Sequence, residues 1–115
     1  MARVTSTRRY QFQSVHSLHV GALSEHLHGH DFQLEVTVRG GEIQAVDEWV
    51  EHEILAAVHG RELNSLLDPA TGEALVEWID QRLRQSPWAE KLIGVALQET
   101  RKNRFVSARS EVEIV

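Results

Sequence analysis

Five of the chain's seven histidines, His16, His19, His26, His28 and His30, fall within one stretch of fifteen residues. His28 and His30 flank Gly29 at the mouth of a segment that reads as a strand. In extended backbone, positions i and i+2 project to the same side, so these two imidazoles can converge on one point. His16 closes the preceding strand-like segment. If the two segments pair as a hairpin, its ring reaches the same spot. Three neutral imidazoles with one open position form the usual frame of a catalytic zinc site. The other reading of these residues is a histidine-rich polar loop that holds no ion. His19 and His26 fit that second reading, as solvated loop residues. Cysteine is absent, which excludes a disulfide framework, a thiolate metal site and a cysteine nucleophile.

The segments that must position the histidines are legible from periodicity. Residues 3–15 alternate, with Val4, Ser6, Arg8, Tyr10, Phe12 and Ser14 on one side, the pattern of a strand. Residues 17–29 have no consistent period and read as a loop. From Asp31 the alternation is clean, Phe32, Leu34, Val36 and Val38 against Gln33, Glu35, Thr37 and Arg39, until Gly40-Gly41 ends it. The period then turns helical: Ile43, Val46, Val50, Ile54, Leu55 and Val58, up to a terminating Gly60. Asp68-Pro69 marks a turn, and Thr71 can cap a second helix carrying Leu75, Trp78, Ile79 and Leu83, with Glu73 in its first turn. Trp49, Trp78 and Val46 sit at core spacing and read as packing. Ser86-Pro87 signals one more short turn. Residues 91–100 and 104–115 read as two last strands joined by Arg101-Lys102-Asn103-Arg104. The order β-β-α-α-β-β predicts an α+β fold, an antiparallel four-stranded sheet with two helices on one face.

At 115 residues and 13.1 kDa, with 42% apolar residues, the chain is expected to form one domain over 1–115. A domain of that size buries a core without help from a metal. A net charge of −5 argues against a nucleic-acid groove or an anionic membrane surface as partner. No apolar run reaches the roughly 18 residues of a membrane span, and no signal-peptide pattern opens the sequence. A cytoplasmic setting is therefore expected.

Phe12-Gln13-Ser14-Val15-His16-Ser17-Leu18 and Leu27-His28-Gly29-His30-Asp31-Phe32 resemble the F-x-x-x-H-x-L and L-H-G-H-(N/D)-(Y/F) segments of the 6-pyruvoyltetrahydropterin synthase and 6-carboxytetrahydropterin synthase family. Leu63-Asn64, Pro69-Ala70-Thr71-Gly72-Glu73 and Val95-Ala96-Leu97-Gln98-Glu99-Thr100 extend the resemblance in order across nearly the whole chain. It implies the tunnelling fold and a zinc ion on His16, His28 and His30, polarising the substrate's side-chain oxygens. It also implies that Glu99 anchors a pterin ring, whose paired N–H donors suit a carboxylate, with Thr100 and Gln98 as pocket neighbours. The family's assembly implies a homohexamer, a dimer of trimers with pockets at subunit boundaries.

Three departures stand beside these matches. The family's proton-transfer cysteine falls on Ser24, and its D-H pair falls on His59 and Gly60. A serine hydroxyl without an assisting base is far less acidic than a thiol of pKa about 8.5. General acid–base groups supply about 10²- to 10⁴-fold in rate, so the usual synthase reaction is not expected. The first expectation is a homologue that binds a pterin or a related purine-like heterocycle without that reaction. The second is a zinc-dependent lyase acting on a dihydropterin side chain, with His59 as substitute base and Ser24 beside it. The third is a non-catalytic structural subunit. The histidines either hold the ion or are ion-free remnants.

Overall fold

A computed structural model describes the backbone of residues 4–16, 19–20, 23–24 and 28–108, with side chains for 4–16 and 29–107. Two twelve-residue strands dominate it, β1 (Thr5–His16) and β4 (His28–Arg39), paired antiparallel from Thr5 opposite Arg39 to His16 opposite His28. Between them lie two two-residue strands, β2 (His19–Val20) and β3 (Leu23–Ser24), paired with each other. The expected loop over 17–29 is thus shorter than its sequence suggested. β4 starts at His28 because pairing with β1 continues through His-Gly-His, which carries no apolar alternation to reveal it.

The first helix, α1, runs over 43–58, but its middle is not α-helical. Ile43–Trp49 and Ala56–Val58 are α, and Val50–Leu55 is π. The buried residues explain the widening. Val46, Val50, Ile54 and Val58 are 0–1% exposed and recur every fourth residue. An ideal helix of 3.6 residues per turn would rotate such a series by roughly 40° at each step, about 120° over three. A wider turn keeps all four against the sheet. The helix ends at Val58, two residues before the expected Gly60: His59 is extended and Gly60 takes φ +69°, a value glycine adopts without a Cβ penalty.

That turn sends the chain back alongside β1 as β5 (Arg61–Glu62), parallel to Ser14 and Val15. The sheet therefore has five strands in the order β5-β1-β4-β6-β7 and is mixed, where four antiparallel strands were expected. Two residues are too few to show alternation, so β5 left no trace in the pattern. The second helix, α2 (Gly72–Leu83), starts as predicted, with Thr71 Oγ1 accepting from Ala74 N–H at 3.0 Å. Leu75, Val76, Ile79 and Leu83 are its buried face. Ser86-Pro87 precedes a short 3-10 turn at Ala89–Lys91, then β6 (Leu92–Gln98) and β7 (Arg104–Ala108) complete the sheet.

Both helices cover one sheet face. Phe12, Phe32, Leu34, Val36, Val38, Val95 and Leu97 from the strands meet Val46, Ile54, Leu75 and Ile79 from the helices in a single apolar cluster. Trp49 and Trp78 pack against it half-buried, as expected, and Trp49 Nε1–H donates to the Arg82 carbonyl at 3.1 Å. The opposite sheet face is polar. Thr7 and Thr37 hydroxyls meet at 2.8 Å, and Glu35 accepts from Arg9 and Arg104 at 2.8 Å each. Those two guanidinium hydrogen bonds hold the Glu35 carboxyl below the usual range. At the far end from the histidines, Asp47 of α1 accepts from Arg8 Nε (3.0 Å) and Nη2 (2.7 Å) and from the Tyr10 hydroxyl (2.6 Å). No described helix is long and apolar enough to cross a membrane.

Candidate metal centre and adjoining cavity

The end of the hairpin where β1 stops and β4 begins is where the sheet gathers chemistry. Alternation puts Phe12, Ser14 and His16 on the helix-facing side of β1, and the cross-strand register puts Phe32 and His30 beside Phe12 and Ser14. Phe12 and Phe32 rings stack with centroids 5.0 Å apart and floor the site. Ser14 Oγ–H donates to the Val58 carbonyl at 2.5 Å, closing it from the α1 side.

His16 is 3% exposed, and its Nδ1 lies 2.7 Å from the carbonyl oxygen of Ala70. A carbonyl only accepts, so Nδ1 carries a hydrogen, and Nε2 is the nitrogen turned toward Glu99. That is the oriented state a metal-binding histidine needs, with its other nitrogen held by a backbone oxygen. His16 Nε2 lies 3.4 Å from Glu99 Oε2, and His30 Nε2 lies 3.7 Å from the same oxygen. The two imidazole centroids are 4.9 Å apart, nearly perpendicular. One donor atom from each of His16, His30 and Glu99 falls within 4.8 Å of the others. A carboxylate oxygen facing an imidazole lone pair is compatible with a proton or a cation between them, since two acceptors alone repel. Two imidazole nitrogens and a carboxylate oxygen are donor types zinc accepts, so the residues fit the ion.

The structure brings together two of the three expected histidines. His28 has its backbone opposite His16, but its side chain lies outside the described residues, as do the side chains of His19 and Ser24 and the whole of His26. Glu99 offers the third candidate donor atom, whereas the expectation for it was a pterin anchor in the same cleft. Gln98 pairs with Gln33, and continuing that register by one residue sets Glu99 beside Phe32, on the histidines' side of the sheet. The β4–β6 pairing was the missing information. Ala70 was also missed, because a backbone carbonyl leaves no mark in residue type.

Glu99 also lines a cavity of about 510 Å³ with Thr100, His59, Gln13, Phe12 and Phe32. A second hollow of about 370 Å³ is lined by Ser14, His30 and Gly60. Thr100 lines the first, but its Oγ1 accepts from the backbone N–H groups of Lys102 and Asn103 at 3.2 Å each, which folds the β6–β7 turn. His59 faces the same space, its Nδ1 3.2 Å from the N–H of Gln13.

A hairpin-led sheet carrying two helices on one face and an imidazole–carboxylate cluster at one end is the arrangement of the tunnelling fold. Comparison with known proteins agrees. Residues 5–110 match the family profile described as 6-pyruvoyl tetrahydropterin synthase, and the chain belongs to that family, whose setting is pterin metabolism. It is 33% identical over 99 residues to the dihydroneopterin monophosphate aldolase of Pyrococcus furiosus, covering 79% of this chain and 85% of that one. The Caenorhabditis elegans 6-pyruvoyl tetrahydropterin synthase superposes with a TM-score of 0.80 at 22% identity, covering 93% of this chain and 96% of that one. The Plasmodium falciparum 6-pyruvoyl tetrahydropterin synthase gives 0.66 at 10% identity, covering 91% and 98%. Those two likenesses establish the fold.

Proposed function

We propose that this chain binds a dihydropterin and cleaves a carbon–carbon bond of its side chain as a lyase, and that it does not run the 6-pyruvoyl synthase reaction. The observation that carries the reading is the convergence of His16, His30 and Glu99 beside a cavity that also takes in His59 and Thr100. The identity to an aldolase supports the reaction type. Against the synthase reaction stands the relay. Gly60 offers no side chain to move a proton, and a serine at position 24 is a poor acid.

The chemistry is a retro-aldol step. The side-chain hydroxyl one carbon beyond the ring-attached carbon loses its proton, and the bond between those two carbons breaks. The outer fragment leaves as an aldehyde. The electron pair passes through the ring-attached carbon into the conjugated C=N of the ring, and that carbon then takes a proton. Nothing is oxidised or reduced overall. His16 and His30, with Glu99 or His28, would hold a zinc ion, which when bound supplies Lewis-acid polarisation of the side-chain oxygens. Ala70 keeps the His16 ring in its metal-binding tautomer, Phe12 and Phe32 give a flat ring an apolar floor, and the second Glu99 oxygen is available to ring N–H donors. In a homohexamer, as the family resemblance implies, pockets of this kind lie at subunit boundaries.

Fluorescence titration with neopterin tests binding, and incubation with 7,8-dihydroneopterin or its monophosphate, with release of a small aldehyde, tests the reaction. Saturable binding lost in Glu99→Ala is expected. Binding unchanged in that variant defeats the assignment. Binding without aldehyde release would favour the binding-only homologue, for which the replaced relay at Ser24, His59 and Gly60 speaks.

A further inference from the structure

By the family resemblance His59 falls where the family has its aspartate, and the neighbouring backbone determines what each of its nitrogens can do. Gln13 of β1 makes two contacts here: its N–H donates to His59 Nδ1 at 3.2 Å, and its carbonyl accepts from Gly60 N–H at 2.6 Å. The imidazole thus completes a rung that β5 takes up one residue later, at Ser14 and Arg61. An amide N–H can only donate, so Nδ1 must present a lone pair. A neutral ring with a bare Nδ1 carries its hydrogen on Nε2. The residue is exposed and lines the cavity that holds Glu99.

We propose that His59 serves this cavity as a fixed hydrogen-bond donor through Nε2–H, not as a base, and that the ligand places a lone-pair nitrogen or oxygen there. A base at Nε2 would need the other tautomer, which sets an N–H of the ring against the N–H of Gln13. In a retro-aldol step, a donor of this kind suits an acceptor on the heterocycle that gains electron density as the bond breaks. That last assignment rests on the dihydropterin reading above, whereas the donor state of His59 does not.

The test begins with the full-length protein, labelled with ¹⁵N, in a long-range ¹H–¹⁵N correlation spectrum of its imidazoles. His59, identified by the signals missing from His59→Gln, is expected to show a protonated Nε2 and a bare Nδ1. A hydrogen on Nδ1, or two tautomers in similar amounts, overturns the proposal. Neopterin titration of two variants then tests the role. His59→Asn keeps an acceptor for Gln13 N–H but not the donor's reach, and is expected to weaken binding about tenfold, the equivalent of one lost hydrogen bond. His59→Gln, whose longer amide carries N–H to the Nε2 position, is expected to restore most of it. Asparagine binding as well as wild type, or glutamine binding no better than asparagine, overturns the donor role. A wild-type protein that binds no neopterin defeats the pterin reading instead, and the spectrum still decides the state of His59.

Discussion

The Ala70 carbonyl does for His16 what the Gln13 amide does for His59, and the two histidines end in opposite states. A carbonyl at 2.7 Å puts a hydrogen on His16 Nδ1 and turns Nε2 toward Glu99, while an amide at 3.2 Å makes Nδ1 the acceptor at His59. Residue type alone named both as candidates, because histidine is the side chain able to serve either way. It could not say which, since the deciding groups belong to the backbone of distant segments. Glu99 was expected to share a cleft with the imidazoles as a pterin anchor, but not as a donor atom within ligand distance of them. The His16 geometry predicts zinc near one per chain in protein purified without chelator or histidine tag, measured by elemental analysis. His16→Ala should weaken zinc binding by more than the roughly 10- to 100-fold that losing only a ligand's orienting partner costs. A second residue-scale prediction concerns Asp47. Hydrogen bonds from Arg8 and then Tyr10 hold its carboxyl below the ordinary value. Burial and Asp47 together hold the Tyr10 hydroxyl well above its own. A depressed carboxyl pKa stabilises the fold above about 3.9 and loses that effect as pH falls through the folded value. A raised phenol pKa contributes below about 10 and is lost only at higher pH. The thermal-denaturation gap between wild type and Asp47→Asn should therefore be widest between those limits and close in acid. A gap that persists undiminished at pH 2 would contradict the assignment.

At the scale of elements, the long strands were readable and the short or irregular pieces were not. Phe32, Leu34, Val36 and Val38 alternate over enough residues to declare a buried face, and all four are at most 2% exposed. The helix over 43–58 was also plain, yet its π segment was not, although Val46, Val50, Ile54 and Val58 step by four in the sequence itself. A four-residue step is compatible with a loosely drawn apolar stripe, and only the contact with a flat sheet demands that it stay in line. β5 depends on a glycine at φ +69° and on β1 being there to receive it, neither of which a local pattern contains. The start of α2 has a further constraint of this non-local kind. A Cβ on Gly72 would run into the ring of Phe105 on β7, so the helix and the strand pack through a missing side chain. Gly72→Ala should then destabilise by about 1–3 kcal/mol, the usual cost of overpacking, even though alanine favours helix by about 1 kcal/mol. Denaturant unfolding measures it, and Gly72→Ala with Phe105→Leu should recover part of the loss. A stabilised single variant would show that β7 yields freely.

Among the described strands, the sheet is open at both sides. β7 has no partner on its outer flank, and β5 covers only Ser14 and Val15 of the twelve residues of β1 among the described strands. Val106, on β7, is 59% exposed. Unpaired strand edges invite other chains, and a sheet that closes into a ring with its copies has none left. The polar face, with Arg9 and Arg104 both bound to Glu35, would line such a ring, and the helices would lie outside it. The homohexamer implied by the family resemblance would use both edges, and a net charge of −5 per chain would keep whole particles apart in solution. Light scattering on the purified protein should give six times the 13.1 kDa chain mass. Val106→Lys, which sets a charge beside the open edge without touching the apolar cluster, should lower that mass while leaving the far-ultraviolet circular dichroism intact. Strand edges joined in this way also tie the assembly to the site, because the turn that carries Glu99 and Thr100 leads directly into β7. The same variant should therefore weaken neopterin binding, and binding at full strength by a dissociated chain would mean that each pocket is complete within one subunit.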